Sequence, residues 1–127
     1  MQSRSYTVII LGTEEKHFAI YTEPQVGKNI QLFLTAEQRA RPLTHDLIYS
    51  ILKGLEIKPL HIVIHHIEDT VYFARLYLEQ TLGSKKTILE IDTRPSDAIT
   101  LALMNSIPVF CRKEVLEKAI PVQDLPI

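Results

Sequence analysis

From residue 60 to residue 92 three apolar-rich segments follow one another with only short turns between them. Strands joined this way pair antiparallel, because a parallel pair needs a crossover of a dozen or more residues. In 60–67, Leu60, Ile62 and Ile64 face one way, His61, Val63 and His65 the other, and His66 returns to the first face. Glu68-Asp69 makes a tight turn, and 71–79 places Tyr72, Ala74, Leu76 and Leu78 on one face. Gly83-Ser84-Lys85 turns the chain again into a third strand, 86–92. The expectation is an antiparallel meander.

On both sides of the meander the apolar spacing becomes helical. Over 44–55, Leu47, Ile48, Ile51, Leu52 and Leu55 form one stripe, with Thr44 as N-cap and Gly54 and Pro59 at the exit. Over 95–105, Pro95 fits the first turn, and Ala98, Ile99, Leu101, Ala102 and Leu103 are apolar on most sides, which predicts a deeply buried helix. Residues 24–38 read as a third helix, opened by Pro24 and interrupted at Gly27-Lys28-Asn29. Residues 5–11 and 17–22 read as a hairpin, Pro108 to Cys111 as a short strand, 113–119 as a small helix, and the tail with Pro121 and Pro126 as irregular. The expected fold is α+β: a mixed, largely antiparallel sheet, made of a hairpin plus a three-strand meander, packed with two main helices. Residues 1–127 form one domain. Arg41-Pro42 and Arg94-Pro95 each precede an acid in a first helical turn, which suggests a duplicated strand-helix unit.

Charge limits the function classes. The formal net charge is -1, so the chain lacks the strong positive field of proteins that hold a duplex by its phosphates. Any nucleic-acid partner is therefore bound at a local site, with Arg39, Arg41 and Arg94 as candidates, weakly and with salt sensitivity. No apolar run approaches the ~20 residues of a membrane-spanning helix, and the polar start, Met1 to Tyr6, does not read as a secretion signal. A single cysteine, Cys111, rules out an internal disulfide and a cysteine-rich metal knuckle; it reads as a small apolar residue, and cytoplasm is the default compartment.

The densest polar cluster is Asp92-Thr93-Arg94-Pro95-Ser96-Asp97, where a strand hands over to a helix. Asp92 shares a strand face with Glu90, and Asp97 lies in the first helical turn. Together with Asp46 these carboxylates can offer oxygen ligands to a divalent cation, Mg or Mn, which would activate water and clamp a phosphate. Arg94 and Arg41 can bind phosphate through guanidinium, and backbone N–H groups near Ser96 favour anions. In Thr44-His45-Asp46, His45 is a candidate general base and Asp46 its orienting partner. The competing interpretation is structural: acids in first turns stabilise helices through the dipole, and Arg94 pairs with Asp92 or Asp97. His61 and His65 lie ~13 Å apart along a strand, too far to share one ion; with His66 they read as solvent-facing or interface residues. The sequence holds no phosphate-binding Gly-rich loop and no nucleophile-elbow motif.

Taken together, Arg41-Pro42-Leu43-Thr44-His45-Asp46-Leu47, a helix, a meander and Asp92-Thr93-Arg94-Pro95-Ser96-Asp97-Ala98-Ile99 resemble the bifunctional nuclease domain family. The Thr70 to Leu76 strand and the Ile107-Pro108-Val109 helix exit extend the likeness across about residues 5–118. The resemblance implies a compact α/β fold, self-association (a dimer first), and nuclease activity on RNA and DNA. It carries Arg41, His45, Asp46, Asp92, Arg94, Ser96 and Asp97 as matching site positions. The glutamate that family members carry before the first helix would be replaced here by Glu23 or Glu37. The rival function is a non-catalytic binding or regulatory module in which the same acids and arginines are a salt-bridge network.

Overall fold

The computed structural model describes residues 6–35 and 40–121. Elements run β1 (Thr7–Gly12), β2 (His17–Thr22), α1 (Pro24–Leu34), α2 (Thr44–Gly54), β3 (Ile57–Glu68), β4 (Val71–Leu82), β5 (Lys85–Thr93), α3 (Pro95–Asn105), β6 (Val109–Cys111) and α4 (Lys113–Lys118). The fold is α+β. Arg39 and Glu37 lie outside the described residues, as do the ends of the chain; the helix read over 24–38 ends at Leu34 with Thr35 as its C-cap, and residues 36–38 of that reading lie outside the described residues.

The meander is present and antiparallel, with β3 paired to β4 and β4 to β5. β6 then returns parallel to β3, giving the order β5-β4-β3-β6. The α3 crossover supplies the length that a parallel return requires. The β1-β2 hairpin forms its own two-stranded sheet rather than joining the meander. Its Phe18 and Ile20 pack into the same core as Ile62, Ile64, Ala74, Leu76 and Leu78.

α3 is the central helix. Ala98, Ile99, Leu101 and Ala102 are buried, as their apolarity predicts, and Thr100 with them, whereas Leu103, counted on the same apolar surface, is 42% exposed. Thr100 Oγ1 donates 2.7 Å to the Ser96 carbonyl, which satisfies its buried hydroxyl within the helix. α2 lies further out. Ile48 and Leu52 pack against the core, whereas Leu47, Ile51 and Leu55 stay half-exposed or more. The α2 stripe is therefore wider than the face it buries.

Gly27 interrupts the helical pattern of α1 because the helix crosses β1 there. A Cβ on Gly27 would stand 2.6 Å from Thr7 Oγ1. That hydroxyl instead accepts the Gly27 N–H at 3.2 Å and donates to the Pro24 carbonyl at 3.2 Å.

Register shifts in β3 between Pro59 and His61 and between Ile64 and His66 break the strict alternation read from the sequence, the first at Leu60 and the second before His66. His66 pairs with Phe73, and so lies with His61 and Val63 on the face away from the helices, not with Ile62 and Ile64. Strict alternation fails there because a bulge adds a residue to one strand.

Candidate nucleic-acid cleft

Three helices bring their amino ends together. The residue before a proline is held extended by clash with the proline ring. Glu23 before Pro24 and Arg94 before Pro95 both obey this, with φ/ψ of -64/149 and -63/141, and each is the N-cap of its helix. Two oppositely charged side chains thus leave α1 and α3 from equivalent positions. Arg94 Nη1 lies 3.6 Å from Glu23 Oε1.

The other side of Arg94 is fixed more tightly. Its Nε donates to Asp97 Oδ2 at 2.8 Å, within the first turn of α3. The second carboxylate oxygen, Oδ1, lies 3.0 Å from His45 Nε2, in the first turn of α2. A chain of contacts therefore runs Glu23, Arg94, Asp97, His45 across all three helix starts. Burial alone would push the Asp97 carboxyl up, but hydrogen bonds from Arg94 and then His45 outweigh it and hold the group below its ordinary value. The hydrogen bond to Asp97 holds the Arg94 guanidinium above its own ordinary value.

The sequence-derived site residues do not all meet. His45 is buried, 8% exposed, and its Nδ1 has no hydrogen-bond partner among the described residues. Asp46 turns back on its own helix, where Oδ2 accepts the Leu43 N–H at 2.8 Å. Leu43, not Thr44, is thus the N-cap residue, and its apolar side chain leaves the capping to Asp46. Asp92 pairs with Arg75, on the sheet face opposite the helices. Arg41 is exposed in the segment leading into α2, and Ser96 is buried at the second position of α3. Asp46 and Asp97 do occupy the same position in their first turns, as the Arg-Pro echo suggested, but Pro42 precedes the N-cap while Pro95 follows it.

The carboxylates expected to share a metal ion do not form a ligand set. Both Asp97 oxygens face cation-capable nitrogens, Asp46 caps its helix, and Asp92 lies across the sheet. Among the described residues no group of three or more His, Cys, Asp or Glu side chains is placed to hold one ion.

Arg94 opens onto a cleft of about 650 Å³ between β2, the β3-β4 turn and the starts of α1 and α3. Thr22, Glu23, Thr70, Tyr72, Arg94 and Ser96 supply its polar lining. Tyr72 stacks on Phe18 with ring centroids 5.3 Å apart, and burial, then Cys111, pushes its phenol above the ordinary value. Sequence reasoning weighed Glu23 only as a replacement and did not single out Tyr72 for the site. The signal for Glu23 was its place before Pro24, which repeats the place of Arg94 before Pro95.

The family model described as "Bifunctional nuclease domain" matches residues 8–123. Two uncharacterized proteins of Mycobacterium tuberculosis, MT1877 and Rv1829, are each 26% identical over 120 residues, covering 93% of this chain and 69% of theirs. "Bifunctional nuclease 2" of Arabidopsis thaliana is 32% identical over 82 residues, covering 63% of this chain and 24% of that protein. With the model spanning nearly its whole length, the chain belongs to the bifunctional nuclease domain family.

Proposed function

We propose that the domain hydrolyses phosphodiester bonds of RNA and DNA in the cleft between the starts of α1 and α3. One observation carries the reading: an exposed guanidinium, Arg94, is pinned by Asp97 where two helix amino ends face an open cleft. Helix starts and guanidinium both favour a phosphate, and a fixed donor strengthens most where charge develops. Arg94 binds the phosphate. Asp97 and His45 are positioning residues that hold Arg94 in place. Glu23, exposed beside the guanidinium, takes the proton as water attacks phosphorus; the P–O bond to the leaving nucleoside breaks, and that oxygen is protonated from solvent.

The test uses the purified chain on labelled RNA and DNA, with Mg, with Mn and with chelator. Arg94→Ala should reduce cleavage by about 10²-fold, and Glu23→Gln should reduce it comparably, while Asp92→Asn cleaves as the unmodified chain does. Undiminished cleavage by both cleft variants would place the activity elsewhere or in a contaminant.

A second reading is favoured by the saturation of Asp97 and the burial of His45: the domain is a binding or regulatory module, and the contacts are a structural weld. In that case Asp97→Asn lowers the melting temperature by several degrees, and no variant changes a cleavage rate above background.

Self-association and a cytoplasmic setting are part of the same proposal. Leu47, Ile51 and Leu55, 56%, 50% and 61% exposed, line one side of α2. The stripe is symmetric about Ile51, so a second copy packed antiparallel sets Leu47 against Leu55. Ile51→Glu should convert a dimer to a monomer in light scattering. No helix among the described residues is long and apolar enough to cross a membrane.

A further inference from the structure

We propose that the helix-free face of the four-stranded sheet is a docking platform for single-stranded nucleic acid, leading the strand toward Arg94. The inference rests on the nuclease reading for its direction and extends it to a substrate class.

The described helices contribute to a core on one side of this sheet only, with Ile62, Ile64, Ala74, Leu76 and Leu78. The opposite face carries rings on three adjacent strands. His61 stacks on Tyr77 with centroids 4.6 Å apart and meets Phe110 edge-on at 5.5 Å. Phe73 lies 5.3 Å from His66 and 6.5 Å from His65. Phe110 is 53% exposed although it is a large apolar ring. Strand pairing fixes these rings on one surface: Tyr77 opposite His61, Phe73 opposite His66, and Phe110 beside Val63. Open sheets with exposed rings take unstacked bases, since every base offers a flat π face and single strands leave those faces free. A duplex keeps its bases stacked and gains nothing from such rings.

Charge selects the half of the face that the strand follows. Arg75 and Arg112 stand near His65; burial first, and then these two cations, hold the imidazole below its ordinary value. On β5 this face carries Glu90 and Asp92 at one end and Lys86 at the other; Glu90 pairs with Arg75 at 3.7 Å and Lys86 with Glu79 at 3.5 Å. The phosphates track the side of the face on which Arg112 follows β6, away from Glu90 and Asp92, with bases over the rings. The direction follows from the register. Thr93 is the last β5 residue paired, opposite Ala74, so Arg94 follows directly beside Phe73 at the end of the sheet where the cleft opens. A strand laid over the rings reaches the cleft without crossing the core.

The test is fluorescence anisotropy of a labelled oligo(U) and oligo(dT) with the full chain, beside hydrolysis of bis(p-nitrophenyl) phosphate, which is too small to need the platform. The double variant Tyr77→Ala/Phe110→Ala should weaken oligonucleotide binding about tenfold or more. Tyr77→Phe, which keeps the ring, should bind as the unmodified chain does, and duplex of equal length should compete poorly. Hydrolysis of the small ester should be unchanged in all of them. Unchanged binding by the double variant overturns the platform. So does a change in sedimentation from dimer to monomer with oligonucleotide affinity intact, which assigns the face to a second copy. Ring-dependent binding by a chain whose Arg94→Ala and Glu23→Gln variants cleave normally leaves the platform standing and removes the cleft reading.

Discussion

His45 Nε2 and Asp97 Oδ1, 52 residues apart in the chain, stand 3.0 Å from one another and tie the first turn of α2 to the first turn of α3. The same carboxylate holds Arg94, so one side chain sets the spacing of two helices and the aim of the guanidinium. Removing its charge acts on both.

Asp97→Asn should cost roughly 1–3 kcal/mol of stability, since a partly buried pair loses one charged acceptor. Arg94→Ala should cost no more than about 1 kcal/mol, because the guanidinium is largely exposed and its pairs are screened by water. Urea unfolding of the two variants checks the order; equal losses would mean that Arg94, not His45, dominates the contact.

Acid should release the same contact. The folded-state value of Asp97 lies below its ordinary 3.8, so between the two values the unfolded chain binds more protons. The stabilisation is complete above pH 3.8 and is lost as pH falls from there through the folded value. Unfolding midpoints between neutral pH and pH 2.5 should drop more steeply at the acid end for the unmodified chain than for Asp97→Asn.

Asp46→Ala should lower stability by about 0.5–2 kcal/mol through loss of the cap on the Leu43 N–H. Asp46→Ser, too short to reach from that position, should behave like alanine. Thermal unfolding reads this, and cleavage per folded molecule should not change.

Gly27→Ala should destabilise by about 1–3 kcal/mol, because the new methyl meets Thr7 Oγ1 and Cγ2 at 2.6 and 2.9 Å. Pairing it with Thr7→Ala removes both atoms and should recover part of the loss. A double variant no better than the single would show that the β1 backbone, not the threonine, sets the approach.

Much of the fold is legible from local chemistry. Pro95 and the polar Asn105-Ser106 bound α3 at the residues where the helix begins and ends, because a proline at the first position and an αL exit act locally. The meander follows from short turns between alternating segments. The sidedness of His66 does not, since the bulge before it arises from pairing with β4. Nor does the half-exposed stripe of α2, whose five apolar residues exceed the surface α3 and β3 offer. At the site, Arg94 and Asp97 are neighbours by sequence, and their contact is a first-turn pair. Their links to His45 and Glu23 are tertiary and left only a repeated residue-Pro pattern to find them by.

β5 ends the sheet on one side, so one row of its peptide groups has no neighbouring strand among the described residues. Such a rim invites foreign strands to add on and start fibrous growth, a hazard that charge along the rim suppresses. Lys85, Lys86, Glu90 and Asp92 place charges of both signs along it. Asp92, which stands away from the cleft, thereby helps to keep the sheet four strands wide.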